Sequence, residues 1–338
     1  MALQGTPYLV LRRIGQGGMG EIYEAEHAEL GRRAALKVLH HRHHGRADLA
    51  ARLRDEARLL ARLSHPNLVE VFDLGVTRDG RPWFAMPLLR GRDLRDQLAR
   101  LGPLPATVAA GLAVQALDGL SAAHAAGFVH RDVKLENLFL EVGGTLKVLD
   151  FGVARIAEDG ADRARPGVAA GTPRSMAPEQ CSGGAVDGRA DLYAVGLVLY
   201  ELVTGRGPFD DVCGNDHALR FAHCERRPPA PSALASRRIP PALDELLARA
   251  LAKSPLDRFQ TAAGMAAALR RFLGDHLAPP RLRSGHARSR RLAGRRRVIP
   301  WSPPAPPRGE LLDTLPDACC ARAHGGLARP EGRPDEQV

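Results

Sequence analysis

Long apolar runs, export signals and paired cysteines are all missing from this 338-residue chain, and each absence removes a class of protein. No stretch of about 18 apolar residues occurs, so no membrane span is expected. The most apolar segment, Leu192 to Val203, is short and carries Tyr200 and Glu201. Met1 to Tyr8 has neither a basic n-region nor an apolar h-region, which argues against export. The five cysteines, Cys181, Cys213, Cys224, Cys319 and Cys320, show no C-x-x-C spacing. They predict neither a disulfide framework nor a zinc site, and as free thiols they suit a reducing cytoplasm. No internal repeat is visible.

What is present is an ordinary globular composition, 44% hydrophobic and 25% charged, in a chain long enough for a two-lobed domain and a tail. The formal charge of +10 is unevenly spread. Residues 275–338 carry 12 Arg against 7 acidic residues, and 281–300 has eight Arg and no acid. Such a run reads as a solvated, disordered arm, or as a contact for an acidic partner, nucleic acid or anionic lipid. Trp301-Ser-Pro-Pro-Ala-Pro-Pro307 favours extended polyproline conformations.

From Tyr8 to about Phe84 the pattern is strand-like with one helix. Tyr8 to Ile14, Glu21 to Glu26 and Ala34 to Leu39 read as three strands. Asp48 to Leu63 spaces Leu49, Leu53, Leu60 and Leu63 as one face of a helix, which Ser64-His65-Pro66-Asn67 stops. Thereafter the chain turns helical, at Thr107–Ala126, Asp191–Thr204, Pro241–Ala252 and Thr261–Leu273, with Gly127, Gly205 and Gly274 where helices should end.

Gly15-Gln16-Gly17-Gly18-Met19-Gly20 fits G-x-G-x-x-G, a weak signal alone. It runs into a strand rather than a helix, and position 40 is His where a dinucleotide site would want an acid. A glycine loop between two antiparallel strands is instead a flap over phosphates, whose backbone N–H groups can approach an anion closely. Lys37 lies 17 residues beyond Gly20 on the third strand, and Glu56 a further 19 residues on. The ammonium can reach phosphate oxygens while the carboxylate holds it in place. In His130-Arg131-Asp132-Val133-Lys134-Leu135-Glu136-Asn137, Asp132 and Asn137 are five apart, and Asp150 follows 13 later in Lys147-Val-Leu-Asp-Phe-Gly152. Phosphoryl transfer needs an acceptor for the attacking hydroxyl's proton, oxygen ligands for Mg²⁺ and cations around the transferring group. Asp132 suits the first task, Asn137 and Asp150 the second, Lys134 and Lys37 the third. His40-His-Arg-His-His44 reads as a solvated loop, with capture of a transition metal as the alternative.

With these residues in this order, the chain from about Tyr8 to Phe272 resembles the eukaryotic-like, or Hanks-type, protein kinases. Ile14-Gly-Gln-Gly-Gly-Met-Gly-Glu-Ile-Tyr23 is most similar to their bacterial serine/threonine branch. The resemblance implies an α+β, two-lobed protein-kinase fold: a catalytic domain at 8–273, with a β-rich lobe at about 8–86 and a helical lobe at about 90–273, followed by a disordered tail at 274–338. It implies that Ile22 sits over the adenine of ATP beside Ala35, and that Met86 is the gatekeeper. Pro87-Leu88-Leu89 becomes the hinge, with the Pro87 carbonyl and Leu89 N–H at the adenine edge; proline removes only an N–H there. Gly171 to Glu179 resembles the substrate-facing loop, Asp191 braces the catalytic loop and Arg258 pairs with Glu179. Lys134 together with Thr172 favours Ser/Thr over Tyr acceptors.

Two positions depart from the family pattern, Leu135 for proline and Ser175 for tyrosine, and both point to altered acceptor preference. Arg131 before Asp132 implies control by a phosphorylated loop, yet Val153 to Gly171 contains no Ser, Thr or Tyr. The expectation is therefore that Glu158, Asp159 or Asp162 offers Arg131 a permanent anion, or that partners order the loop. The activity expected is a cytoplasmic, signal-transducing protein serine/threonine kinase using ATP and Mg²⁺, with Mn²⁺ as an alternative ion. Its expected partners are protein substrates, a second copy in a homodimer and an acidic partner for the Arg-rich arm, where Thr314 is a candidate autophosphorylation site. The alternatives are a pseudokinase scaffold, a small-molecule phosphotransferase of the same fold, and nucleic-acid binding through 281–300.

Overall fold

The computed structural model describes residues 3–17, 20–151, 155–156 and 173–277. Gly18, Met19, the segment with Glu158, Asp159, Asp162 and Thr172, and the tail with Thr314 lie outside the described residues. The glycine-loop strands form a hairpin, β1 (Tyr8–Gln16) and β2 (Gly20–His27), followed by β3 (Arg33–Leu39), α1 (Ala47–Arg62), β4 (Asp73–Val76) and β5 (Pro82–Pro87). These strands make one antiparallel sheet in the order β1-β2-β3-β5-β4. The two short strands β4 and β5 were not anticipated. They complete a five-stranded lobe that ends at Pro87, which has no N–H with which to continue a ladder.

Strand alternation then sorts this sheet into two faces. On one, Ala34, Leu36, Val38, Trp83 and Ala85 pack with Tyr8 and Ala25 as a separate small core. On the other, Ile22 is opposite Lys37, Lys37 opposite Phe84 and Ala35 opposite Met86, which puts the sequence-predicted adenine and phosphate residues together. Gly20 is opposite Leu39, and any Cβ there would run into the Val38 carbonyl oxygen. In α1, Leu53 and Leu60 are buried. The helix ends at Arg62, where the chain turns extended at Leu63, as the following Ser-His-Pro-Asn stretch predicts.

The second lobe begins with β6 (Gly91–Asp93), α2 (Leu94–Leu101) and α3 (Ala106–Ala125). β7 (Phe128–Val129), β8 (Leu138–Glu141), β9 (Leu146–Val148) and β10 (Arg155–Ile156) follow, β6-β8-β9 forming one small sheet and β7-β10 another. The remaining helices are α4 (Pro178–Ser182), α5 (Gly188–Thr204), α6 (Asp216–Glu225), α7 (Pro231–Leu234), α8 (Pro241–Ala250) and α9 (Ala262–Leu277). By length and composition α3 alone among the described helices could cross a membrane, contrary to the expectation of no such segment. Ten of its twenty residues are buried, and it packs on α5 and α9, so here it is a core helix. The mainly helical core centres on α5, fifteen of whose seventeen residues are buried. A helix apolar on every side must be surrounded by protein.

Gly127 and Gly205 take positive φ and end α3 and α5 as predicted. Gly274 does not end its helix, because α9 continues to Leu277. Its backbone has no need of a left-handed turn, so glycine there costs some helix propensity without stopping the helix. The two lobes are joined at Asn67. Its Nδ2 donates to the Leu146 carbonyl at 2.8 Å and to Gln115 Oε1 at 3.1 Å, and its carbonyl accepts from Val148 N–H at 2.8 Å. The stretch that stops α1 thus also pins the small lobe to β9 and α3.

Candidate active site

Lys37 reaches the interface of the lobes from the centre of β3. Its Nζ donates to Glu56 Oε1 at 2.9 Å and Oε2 at 3.1 Å, and it also pairs with Asp150 Oδ1. Lys37 and Glu56 are both buried, whereas the Asp150 side chain is 42% exposed. Burial opposes the lysine charge, but the Asp150 and Glu56 carboxylates outweigh it and hold Lys37 above its ordinary pKa. For Glu56 burial wins over Lys37, helped by the Asp150 charge, and the carboxyl is pushed up to about 7. Asp150 goes the other way. Burial would raise it, yet Lys37 keeps it below the usual range.

The segment His130 to Asn137 is held in an unusual backbone shape. Arg131 sits at φ 66° and Asp150 at φ 60°, left-handed conformations that cost an arginine more than an aspartate. Side chains fix Arg131 at both ends of its peptide. Asp191 Oδ1 accepts its N–H at 2.7 Å, and Gln180 Nε2 donates to its carbonyl at 2.9 Å. Asp191 Oδ2 also accepts from His130 N–H at 2.9 Å and meets His124 Nε2 at 2.7 Å. Burial would raise this carboxyl, but the His124 contact and its other partners hold it low. The His130 ring pairs with the Leu149 carbonyl through Nε2 at 2.9 Å, and Asp132 N–H points to its Nδ1 at 3.3 Å. These partners assign the proton to Nε2.

Downstream, Lys134 Nζ donates to Asp132 Oδ2 at 2.7 Å. Asn137 Nδ2 donates to the Asp132 carbonyl at 2.8 Å and to Asp132 Oδ2 at 3.3 Å. The Asn137 carbonyl accepts from Leu149 N–H at 2.8 Å, linking this loop to the strand end that carries Asp150. Asp132, Lys134 and Asn137 thus form one hydrogen-bonded group and Lys37, Glu56 and Asp150 a second, and the Leu149–Asn137 backbone bond ties the loop of the first to the strand end of the second.

Around it, Gly15 lies opposite Ile22 in the β1–β2 hairpin, and Gly17 N–H closes on the Gly20 carbonyl at 2.8 Å. Ile14 is exposed, Ala35 buried, and Met86, Pro87 and Leu89 are half-buried at the end of β5 and just beyond it. Gln16 Nε2 meets His40 Nε2 at 2.8 Å, so the glycine loop is tied to the histidine run. That run forms one turn of 3₁₀ helix at His41–His43, and His44 Nε2 meets the Asp79 carbonyl at 2.6 Å. Glu179 and Arg258 form a two-pronged pair at 2.7 and 2.8 Å, as the resemblance implies. Ser175 is buried. Sequence reasoning missed the bracing by Gln180 and His124, and a network of Arg95, Glu136, Arg174, Glu201 and Asp210, because each depends on contacts between distant segments.

The protein kinase domain family matches residues 8–269. The chain is 40% identical over 274 residues to the serine/threonine-protein kinase Pkn1 of Myxococcus xanthus, covering 80% of this chain and 39% of that one. It is 38% identical over 320 residues to pkn3 of the same organism, covering 91% and 57%. With PknL of Mycobacterium tuberculosis it shares 40% identity over 284 residues, covering 83% and 69%. The chain therefore spans only about two fifths to two thirds of these relatives' lengths. The crystal structure of the Mycobacterium tuberculosis PknI kinase domain superposes with a TM-score of 0.62 at 32% identity, covering 80% of this chain and 99% of that one. Agreement of sequence and fold across this span makes the chain a member of the protein kinase family, in its bacterial serine/threonine branch.

Proposed function

We propose that this chain transfers the γ-phosphate of ATP to Ser and Thr hydroxyls of proteins, its own included, in signal transduction. The observation that carries the reading is a buried Lys37–Glu56 pair that also holds Asp150, with Asp132, Lys134 and Asn137 hydrogen-bonded to one another in the loop that the Leu149 N–H ties down through the Asn137 carbonyl. Asp132 accepts the hydrogen bond of the acceptor hydroxyl and orients its oxygen. Lys134 sits beside it to offset charge on the transferring group, and Lys37 holds the α- and β-phosphates while Glu56 fixes its position. The loop from Ile14 to Gly20 covers the phosphates. Ile22, Ala35 and Met86 enclose the adenine, with the Pro87 carbonyl and Leu89 N–H at its edge. Asn137 spends its amide N–H on Asp132 and keeps its side-chain oxygen, and Asp150 exposes a carboxylate, an oxygen donor set that fits Mg²⁺ or Mn²⁺. Such an ion, when bound, neutralises phosphate charge.

The reading is tested by incubating the purified chain with Mg²⁺-ATP beside Lys37→Met and Asp150→Ala and locating phosphate by mass spectrometry. Label on Ser or Thr in the parent chain alone is expected; equal label in all three would overturn it. The pseudokinase alternative has no support among relatives named as serine/threonine kinases.

The direction of the Glu56 shift gives a pH signature. Below about pH 7 Glu56 takes up a proton and Lys37 keeps only Asp150 as an anionic partner, so its positioning by Glu56 weakens and kcat/KM is expected to fall as pH falls through that value. Glu56→Gln should lower the plateau and remove that limb. Stability moves oppositely. A carboxyl raised from 4.5 favours the folded state fully below 4.5, and its contribution is lost as pH rises through about 7. A limb unchanged in Glu56→Gln would show that another group titrates there.

We further place catalysis in the cytoplasm, consistent with free Cys181, Cys213 and Cys224, and assign 8–273 to the catalytic domain and 274–338 to a tail that docks an acidic partner. A homodimer is part of this reading. Activation without loop phosphate predicts that phosphopeptide maps of active enzyme show no phosphate on Thr172 or Ser175 that tracks activity.

A further inference from the structure

A chain of five charges runs from the His130–Asn137 loop to the 173–175 turn. Arg95 of α2 donates through Nε to Glu136 Oε1 at 2.9 Å, one residue before Asn137, and through Nη2 to Glu201 Oε2 of α5 at 3.3 Å. Its Nη1 also contacts Glu201 Oε1. From the other side Arg174, two residues before Met176, donates to the same Glu201 Oε1 at 2.7 Å. Arg174 also grips Asp210 in two-pronged fashion, at 3.0 Å and 2.6 Å. Asp210 in turn accepts Gly207 N–H at 2.7 Å. Glu201 is nearly buried, whereas Arg95, Glu136, Arg174 and Asp210 remain between about a quarter and a half exposed.

Three carboxylates and two guanidiniums leave this surface with a single residual negative charge. Without the arginines Glu136, Glu201 and Asp210 would leave a strongly anionic surface between the His130–Asn137 loop and the 173–175 turn, suited to basic side chains. With them, a basic residue of a substrate must displace a guanidinium that already holds two carboxylates. The exchange replaces one charge-assisted pair by another and yields almost no net attraction. Burial works against the Arg95 charge, but Glu201 and Glu136 hold it firmly cationic, so neither partner is released near neutral pH.

We propose that Arg95 and Arg174 are specificity-determining residues, which neutralise Glu136, Glu201 and Asp210 from within and make acceptor choice indifferent to basic residues flanking the Ser or Thr. The proposal rests on the kinase reading, and its test separates the two. Paired peptides differing only by Arg for Ala at positions flanking the acceptor are offered to the parent chain, Arg95→Ala and Arg174→Ala. The parent chain is expected to show kcat/KM ratios within about threefold, and each variant to gain a preference for Arg peptides of about tenfold. General loosening of the fold would lower both members of a pair together and leave the ratio unmoved. Arg174→Lys, which keeps the charge but cannot fork between Glu201 and Asp210, is expected to give an intermediate ratio and covers the case of a poorly folded alanine variant.

The same pairs are measured for binding by fluorescence anisotropy. If no peptide is phosphorylated by any form, the kinase reading fails, while the binding ratios still decide the role of the arginines. A parent chain that already favours Arg peptides, or variants as indifferent as the parent, would overturn the proposal.

Discussion

Lys37→Met is expected to reduce phosphoryl transfer roughly a thousandfold, with most of the loss in kcat. Methionine has the length to fill the slot on β3 but supplies no charge for the phosphates. It also removes the cation that opposes the rise of the Glu56 pKa, so Glu56 becomes a neutral acid inside the protein. The fold should survive, because a protonated carboxyl beside Asp150 is a hydrogen-bond donor rather than an uncompensated buried charge. Single-turnover measurements at saturating ATP separate this from weakened binding. Retention of kcat within tenfold of the parent would mean that the Lys37 ammonium is not the group that offsets phosphate charge.

Arg258→Ala is expected to cost ~3–5 kcal/mol of stability, lowering Tm by on the order of 10 °C. All five guanidinium N–H groups are used. Two bond Glu179, and the others go to the carbonyls of Ala252, Arg189 and Lys253. The group is fully buried and lies over the Tyr193 ring at 4.8 Å. Truncation leaves Glu179 charged without its partner and three carbonyls without donors. Arg258→Lys should recover only part of the loss, since an ammonium cannot supply the fork. Glu179→Gln should be milder because it keeps one acceptor. Urea unfolding provides the measurement, and a loss under about 1 kcal/mol for the alanine variant would contradict the buried-pair account.

Much of the proposed site is made of motifs that are local in the sequence, although the Lys37–Asp150 pair spans 113 residues. His130 to Asn137 is one loop, and the 19 residues from Lys37 to Glu56 are one strand, one turn and most of a helix. The Glu179–Arg258 and Asp191 contacts came only through family resemblance, since nothing local indicates a pair 79 residues apart. Strands β4, β6, β8 and β9 have three or four residues each, too few for alternation to show, and their register is set by partners distant in sequence. Gly274 was misread because glycine at the end of an apolar stripe looks the same whether or not the backbone turns left-handed. The Arg95–Glu201–Arg174 network was invisible for a further reason. Glu201 sits within the most apolar stretch of the chain, where it reads as an interruption of a helix face, until the fold brings one guanidinium to each side of it.

The near-total burial of α5 also bears on how the domain opens. A helix enclosed on all sides cannot expose its amides by fraying or by a local hinge. Its backbone protons can exchange with solvent only when the large lobe comes apart as a whole. In deuterium labelling, α5 should therefore define the slowest-exchanging segment, and its rate should report the global unfolding free energy. The exposed outer residues of β1 and β4 at the opposite edges of the small-lobe sheet should label orders of magnitude sooner. Asp191, near the start of this same helix, holds the backbone of His130 and Arg131. The His130–Asn137 loop is thus moored to the part of the molecule expected to yield last, while the strands that cover ATP in the proposed reaction belong to a sheet with exposed outer edges.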